Sequence, residues 1–82
     1  MNYYPFHVGD YTAHTAHLTW EEDAAYRRML DWYYLNEKAL PTDPLKVARL
    51  VRMPQSLAII ESVLAEFFVQ SADGWHNKRA DS

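Results

Sequence analysis

The run Thr19-Trp20-Glu21-Glu22-Asp23-Ala24-Ala25-Tyr26-Arg27-Arg28-Met29-Leu30-Asp31-Trp32-Tyr33-Tyr34-Leu35-Asn36 decides how this chain folds. Thr19 with a glutamate three residues later forms a capping-box pattern, in which each side chain accepts a backbone N–H left free at a helix start. Glu21, Glu22 and Asp23 suit the positive end of the helix dipole. Tyr26, Met29, Leu30, Tyr33 and Tyr34 then recur at i, i+3, i+4, i+7 and i+8, the spacing of one buried helical stripe. The pattern predicts a long helix over 19–36, with Asp23–Arg27 and Arg27–Asp31 as opposite-charge pairs on its outer side.

Downstream, Lys38-Ala39-Leu40-Pro41 reads as a short extended connector. Asp43-Pro44 restarts a helix with a capping carboxylate and a proline in the first turn. This second helix, over 43–53, ends before Pro54 and turns Val47, Leu50 and Val51 inward. A third, over 55–68, buries Ile60, Val63, Leu64, Phe67 and Phe68, although the residues from Phe67 onward also suit a strand. Asp73-Gly74 between two short runs signals a turn, so a hairpin is expected within 67–79.

Upstream, Tyr3-Tyr4-Pro5-Phe6-His7-Val8-Gly9-Asp10-Tyr11 is too aromatic for a solvated tail and too broken by Pro5 and Gly9 for a regular strand. Residues 1–17 read as an extended aromatic arm packed on the core. The expected fold is mainly α, of α+β type: a single winged-helix-like domain of three helices closed by a C-terminal β-hairpin.

Eighty-two residues hold one domain. An apolar fraction of 49%, with aromatics at 15%, supplies a core without staples, and the chain has no cysteine for a disulfide frame or a thiolate metal site. A reducing cytoplasm is the expected compartment. No apolar run is long enough for a membrane span, and the start lacks a signal peptide's basic and apolar regions. The net charge of -3 argues against a strongly basic nucleic-acid binder. Residues 1–43 carry three basic and seven acidic side chains, however, and residues 44–82 five basic and four acidic.

The segments Met1-Asn2-Tyr3-Tyr4-Pro5-Phe6-His7-Val8-Gly9-Asp10-Tyr11, Leu18-Thr19-Trp20-Glu21-Glu22-Asp23-Ala24-Ala25-Tyr26-Arg27-Arg28 and Asp73-Gly74-Trp75-His76-Asn77-Lys78-Arg79 resemble the YdaU-like prophage family. The resemblance covers almost the whole chain. It implies a phage or prophage protein encoded among replication-initiation genes, with this domain at the amino terminus of a longer protein and with no established catalytic residues. A chain ending at Ser82 would then be a minimal or shortened member.

Cations are the candidate functional residues. Lys46, Arg49 and Arg52 follow at i, i+3 and i+6, which predicts one stripe on the second helix opposite its apolar face. His76, Lys78 and Arg79 fall on the second hairpin strand. In winged-helix DNA readers the helix-turn-helix and the wing touch the same duplex, so the two groups can converge on phosphates. A solvated helix face with cations near the dipole's negative end accounts for the same residues. The third helix offers Gln55, Ser56, Glu61, Ser62 and Glu66, two of them acids that repel phosphate, so weak phosphate-directed contact is expected rather than base reading.

His14-x-x-His17, with His7 or Asp10, has the spacing of a metal site but no accompanying carboxylate cluster, and surface histidines explain it as well. With two glycines and no G-x-S-x-G elbow, neither a phosphate loop nor a nucleophile elbow is present, so no enzymatic activity, metal or cofactor is expected. Of the candidate stacking platforms Tyr3, Tyr4, Tyr11, Trp20, Trp32 and Trp75, all but Trp32 are read as core rings. Trp32 falls off the buried stripe and is the expected exposed aromatic, a protein-contact candidate. Two functions follow: an accessory DNA-binding domain of phage replication initiation, or an interaction domain docking a helicase, a helicase loader or a second copy as a homodimer.

Overall fold

The computed structural model describes residues 13 and 15–78. The expected extended arm lies mostly outside them, and its described part is not extended: Ala13 and Thr15 are helical, and the Leu18 N–H closes a turn onto the Thr15 carbonyl at 3.0 Å, with Thr15 buried and Leu18 packed against the core. Helix α1 spans Trp20–Asn36 and carries both halves of the capping box. The Glu22 backbone N–H donates to Thr19 Oγ1 at 3.2 Å, and the Thr19 N–H donates to Glu22 Oε1 at 2.9 Å. Tyr26, Met29, Leu30 and Tyr33 are buried as their spacing predicts, together with Ala25, while Tyr34 is half-buried. The helix stops at Glu37, whose φ of 52° is left-handed.

Asp43 caps α2, Pro44–Leu50, by accepting the Leu45 N–H at 3.0 Å, with Pro44 in the first turn. Val47, Ala48 and Val51 face inward. Leu50 does not: it is 40% exposed. At about 100° per residue the buried face centres between Val47 and Ala48, and Leu50 falls roughly a right angle away from that centre. A 3-10 turn, Pro54–Ser56, separates α2 from α3, Leu57–Phe67. Ile60, Val63, Leu64, Phe67 and Phe68 are all buried, with Phe68 in a strand rather than the helix.

Strand β1, Phe68–Ser71, pairs antiparallel with β2, Gly74–Asn77, from Phe68 opposite Asn77 to Ser71 opposite Gly74. The turn residues are therefore Ala72 and Asp73, one position earlier than the Asp-Gly signal suggested. Gly74 begins β2 at a φ of +135°, where the Leu40 carbonyl leaves no room for a side chain. Leu40 and Trp75 exchange backbone hydrogen bonds of 3.0 and 2.8 Å, an antiparallel bridge that ties the connector to β2. The Trp75 indole N–H and the Gln70 amide both donate to the Thr42 carbonyl, at 3.1 and 3.3 Å. These contacts fix the approach of the chain to α2.

The core sits where α1 crosses α3. Tyr26 stacks on Phe67, with ring centres 4.2 Å apart, and meets the edge of Phe68. Tyr33 also meets Phe68 edge to face. Such pairs add about 0.5–1.5 kcal/mol each beyond the area they bury. The resulting order from Trp20 onward among the described residues, three α-helices followed by an antiparallel hairpin, is the α+β arrangement read from the sequence.

Candidate nucleic-acid interface

Lys46 and Arg49 stand exposed on the outer side of α2. Arg52 is exposed as well, but it does not continue their helical stripe, because α2 has ended two residues earlier. Arg52 occupies a left-handed turn with φ of 63°. Its N–H donates to the Arg49 carbonyl at 3.1 Å, and the Met53 N–H donates to the Ala48 carbonyl at 2.8 Å. This is the pair of bonds of a Schellman cap, which satisfies carbonyls a helix end leaves free.

Arg28 of α1 completes that cap from outside. Its Nη1 donates to the Val51 carbonyl at 3.0 Å and more weakly to the Arg52 carbonyl at 3.4 Å. A guanidinium at the negative end of the α2 dipole is favourable. Sequence reasoning missed Arg28, because the contact spans 23 residues. The available signal was that neither of its i±4 neighbours, Ala24 and Trp32, is a carboxylate, whereas Arg27 lies 3.8 Å from Asp23. Lys46, Arg49, Arg52 and Lys78 have no carboxylate within ion-pair distance among the described residues.

The hairpin group is smaller than its sequence suggests. His76 Nε2 lies 2.9 Å from Asp73 Oδ1, and this contact, helped by the Ser71 hydroxyl, holds the Asp73 carboxyl below its usual range. His76 also borders a shallow recess of about 320 Å³ lined by Tyr33, Tyr34, Glu37, Lys38 and Ala39. Arg79 lies outside the described residues. Lys78 is exposed, and its N–H donates to the Phe67 carbonyl at the end of α3. The α2 cations precede α3 and Lys78 follows it, so the two groups flank the eleven residues of that helix, about 16 Å of axis.

The outer side of α3 is engaged within the domain. Glu66 pairs with His17. The Glu22 carboxyl is held low chiefly by the Thr19 N–H, opposed by burial, with smaller contributions from the hydroxyls of Thr19 and Ser62 and the charge of His17. His17 thus meets a carboxylate; His7, Asp10 and His14 lie outside the described residues. No group of three metal-binding side chains occurs among the described residues.

Two aromatic expectations are corrected. Trp32 is half-buried against the core, with the Lys38 ammonium 5.9 Å from its ring, because its place beside Met29 and Tyr33 brings it under the edge of the buried stripe. Trp20, read as a core ring, is 79% exposed. It is the first residue of α1, about one and a half turns before the buried stripe begins at Ala25 and Tyr26.

The chain is 34% identical, over 99% of its length, to the uncharacterized protein YdaU of Escherichia coli (strain K12). It spans about 28% of that relative's length. No solved structure matches it significantly. A family model described as protein of unknown function (DUF1376) matches residues 2–82, and the chain belongs to that YdaU-like family.

Proposed function

We propose that the chain is a winged-helix-like accessory DNA-binding domain, not an enzyme, acting in the cytoplasm in phage replication initiation and holding nucleic acid through its phosphates. The observation that carries this reading is the set of exposed cations on and just after α2, Lys46, Arg49 and Arg52, without carboxylate partners among the described residues. Cations that flank α3, with acids on the helix itself, suit backbone contact rather than base reading. The replication setting rests on the family resemblance. No helix among the described residues is long and apolar enough to cross a membrane.

The test is fluorescence anisotropy with labelled duplex and single-stranded DNA at low salt, repeated with Lys46, Arg49 and Arg52 changed to Ala together. Four phosphate contacts, Lys46, Arg49, Arg52 and the hairpin's Lys78, predict a duplex affinity falling with salt at a log-log slope of about -3.6, reduced to about -0.9 in the triple variant. Absence of binding to either form, or no change in the triple variant, refutes the reading.

A second reading has its own support. Leu45 and Leu50 are 37% and 40% exposed on α2, and Trp20 is the most exposed large apolar side chain described. Apolar groups beside cations suit an acidic protein surface on a helicase, a loader or a second copy. Concentration-dependent light scattering, and co-sedimentation with a purified replicative helicase, would reveal such contacts. Their loss in Leu50→Glu or Trp20→Ala would assign the surface.

A further inference from the structure

Arg52 stands where a helix ordinarily ends in glycine. A left-handed residue with a Cβ is strained, and glycine takes this position freely. Here the position carries an arginine with φ of 63°, exposed and without a carboxylate partner. The turn takes Arg52 out of the helical stripe that carries Lys46 and Arg49. Arg28 braces the turn by donating to the carbonyls of Val51 and Arg52, and thereby sets the peptide from which the Arg52 side chain departs.

Resting on the DNA reading above, we propose that Arg52 is the anchoring phosphate contact of this surface, with Arg28 as its positioning residue. The ligand class is a phosphodiester backbone, bound by one planar guanidinium in the bidentate geometry that arginine, not lysine, provides. Glu37 is a built-in control. Among the described residues it is the other charged one in a left-handed conformation, with φ of 52°, but it ends α1 and carries no cation.

The experiment combines thermal melts with anisotropy of a short mixed-sequence duplex across a salt series, for wild type, Arg52→Gly, Arg52→Lys, Glu37→Gly, Arg28→Met and the Arg28→Met/Arg52→Gly pair. Arg52→Gly should melt no lower than wild type, yet bind roughly three- to tenfold more weakly, the size of one charge-assisted contact. Its salt slope should be shallower by about 0.9. Arg52→Lys should keep the slope and lose part of the affinity. Glu37→Gly should melt at least as high as wild type without weakened binding.

As a positioning residue, Arg28 should weaken binding when changed to Met in the wild-type background and add nothing in the Arg52→Gly background. Wild-type duplex binding with an unchanged Arg52→Gly affinity overturns this proposal and leaves the DNA reading standing. A marked drop in the Arg52→Gly melting temperature overturns the strain argument. No wild-type binding at all removes the underlying reading and this proposal with it.

Discussion

The carbonyl oxygen of Leu40 lies 2.1 Å from the point a Cβ on Gly74 would occupy. Gly74 has φ of +135°, and its neighbour Trp75 makes the paired backbone bonds that dock the connector on the hairpin. Both sterics and backbone conformation therefore demand glycine. Gly74→Ala must push the connector away or break the bridge, and should cost more than about 2 kcal/mol, the scale of combined strain and overpacking. Urea denaturation followed by circular dichroism checks this. A variant as stable as wild type would show that the Leu40–Trp75 bridge is dispensable.

Acid should loosen the start of α1 and the hairpin turn. Glu22 and Asp73 both have folded-state pKa values below their ordinary 4.5 and 3.8. The unfolded chain takes up these protons first, so each group's stabilisation is complete above its ordinary value and is lost as pH falls through its lowered folded value. Melting temperature should hold between pH 7 and about pH 5 as far as these groups are concerned, then decline toward pH 3. Glu22→Gln should flatten part of that decline, and Thr19→Ala, which removes the reciprocal cap, should cost about 1 kcal/mol at neutral pH.

Leu50 and Val47 separate a pattern-based view of α2 from the folded one. Val47 is fully buried and Leu50 is 40% exposed. Val47→Ala should destabilise by roughly 1–3 kcal/mol, whereas Leu50→Ser should stay near 0.5 kcal/mol. Paired denaturation curves measure both. A larger loss at Leu50 would place it in the core after all.

The difference between those two residues shows what a sequence pattern carries. In α1 and α3 the buried stripe repeats over enough turns to fix the helix phase, so Tyr26 through Tyr33 and Ile60 through Phe67 were legible. The α2 helix has seven residues, fewer than two full turns, and three apolar positions leave its phase undetermined within about a quarter turn. Arg52 leaves the stripe for a related reason: the i, i+3, i+6 spacing runs on through a residue that lies beyond the end of α2 and is held left-handed. Arg28's contacts with Val51 and Arg52, and the ties of His17 to Glu66 and of Trp75 to Thr42, join residues far apart in the chain. Local spacing holds no record of them. The hairpin cations showed the opposite fault, since His76 looked available in sequence and is engaged by Asp73 in the fold.

That engagement yields the sharpest division among the proposed nucleic-acid contacts. The His76 ring nitrogen Nε2 faces a carboxylate on its own turn, and a phosphate approaching it must displace Asp73 or meet its negative charge. Lys78 has no such neighbour among the described residues, and an ammonium on a flexible stem reaches phosphate without displacing anything. His76→Gln should therefore leave duplex affinity within about twofold of wild type, while Lys78→Gln should weaken binding equally for unrelated sequences and make the salt slope shallower by about 0.9. Asp73→Asn separates charge from structure: by removing the competing carboxylate it should strengthen binding in the presence of His76 and much less in a His76→Gln background. Anisotropy titrations of these variants across a salt series supply both affinity and slope. A large His76→Gln defect with normal Lys78→Gln binding would reverse the assignment and make the histidine, not the lysine, the hairpin's phosphate contact.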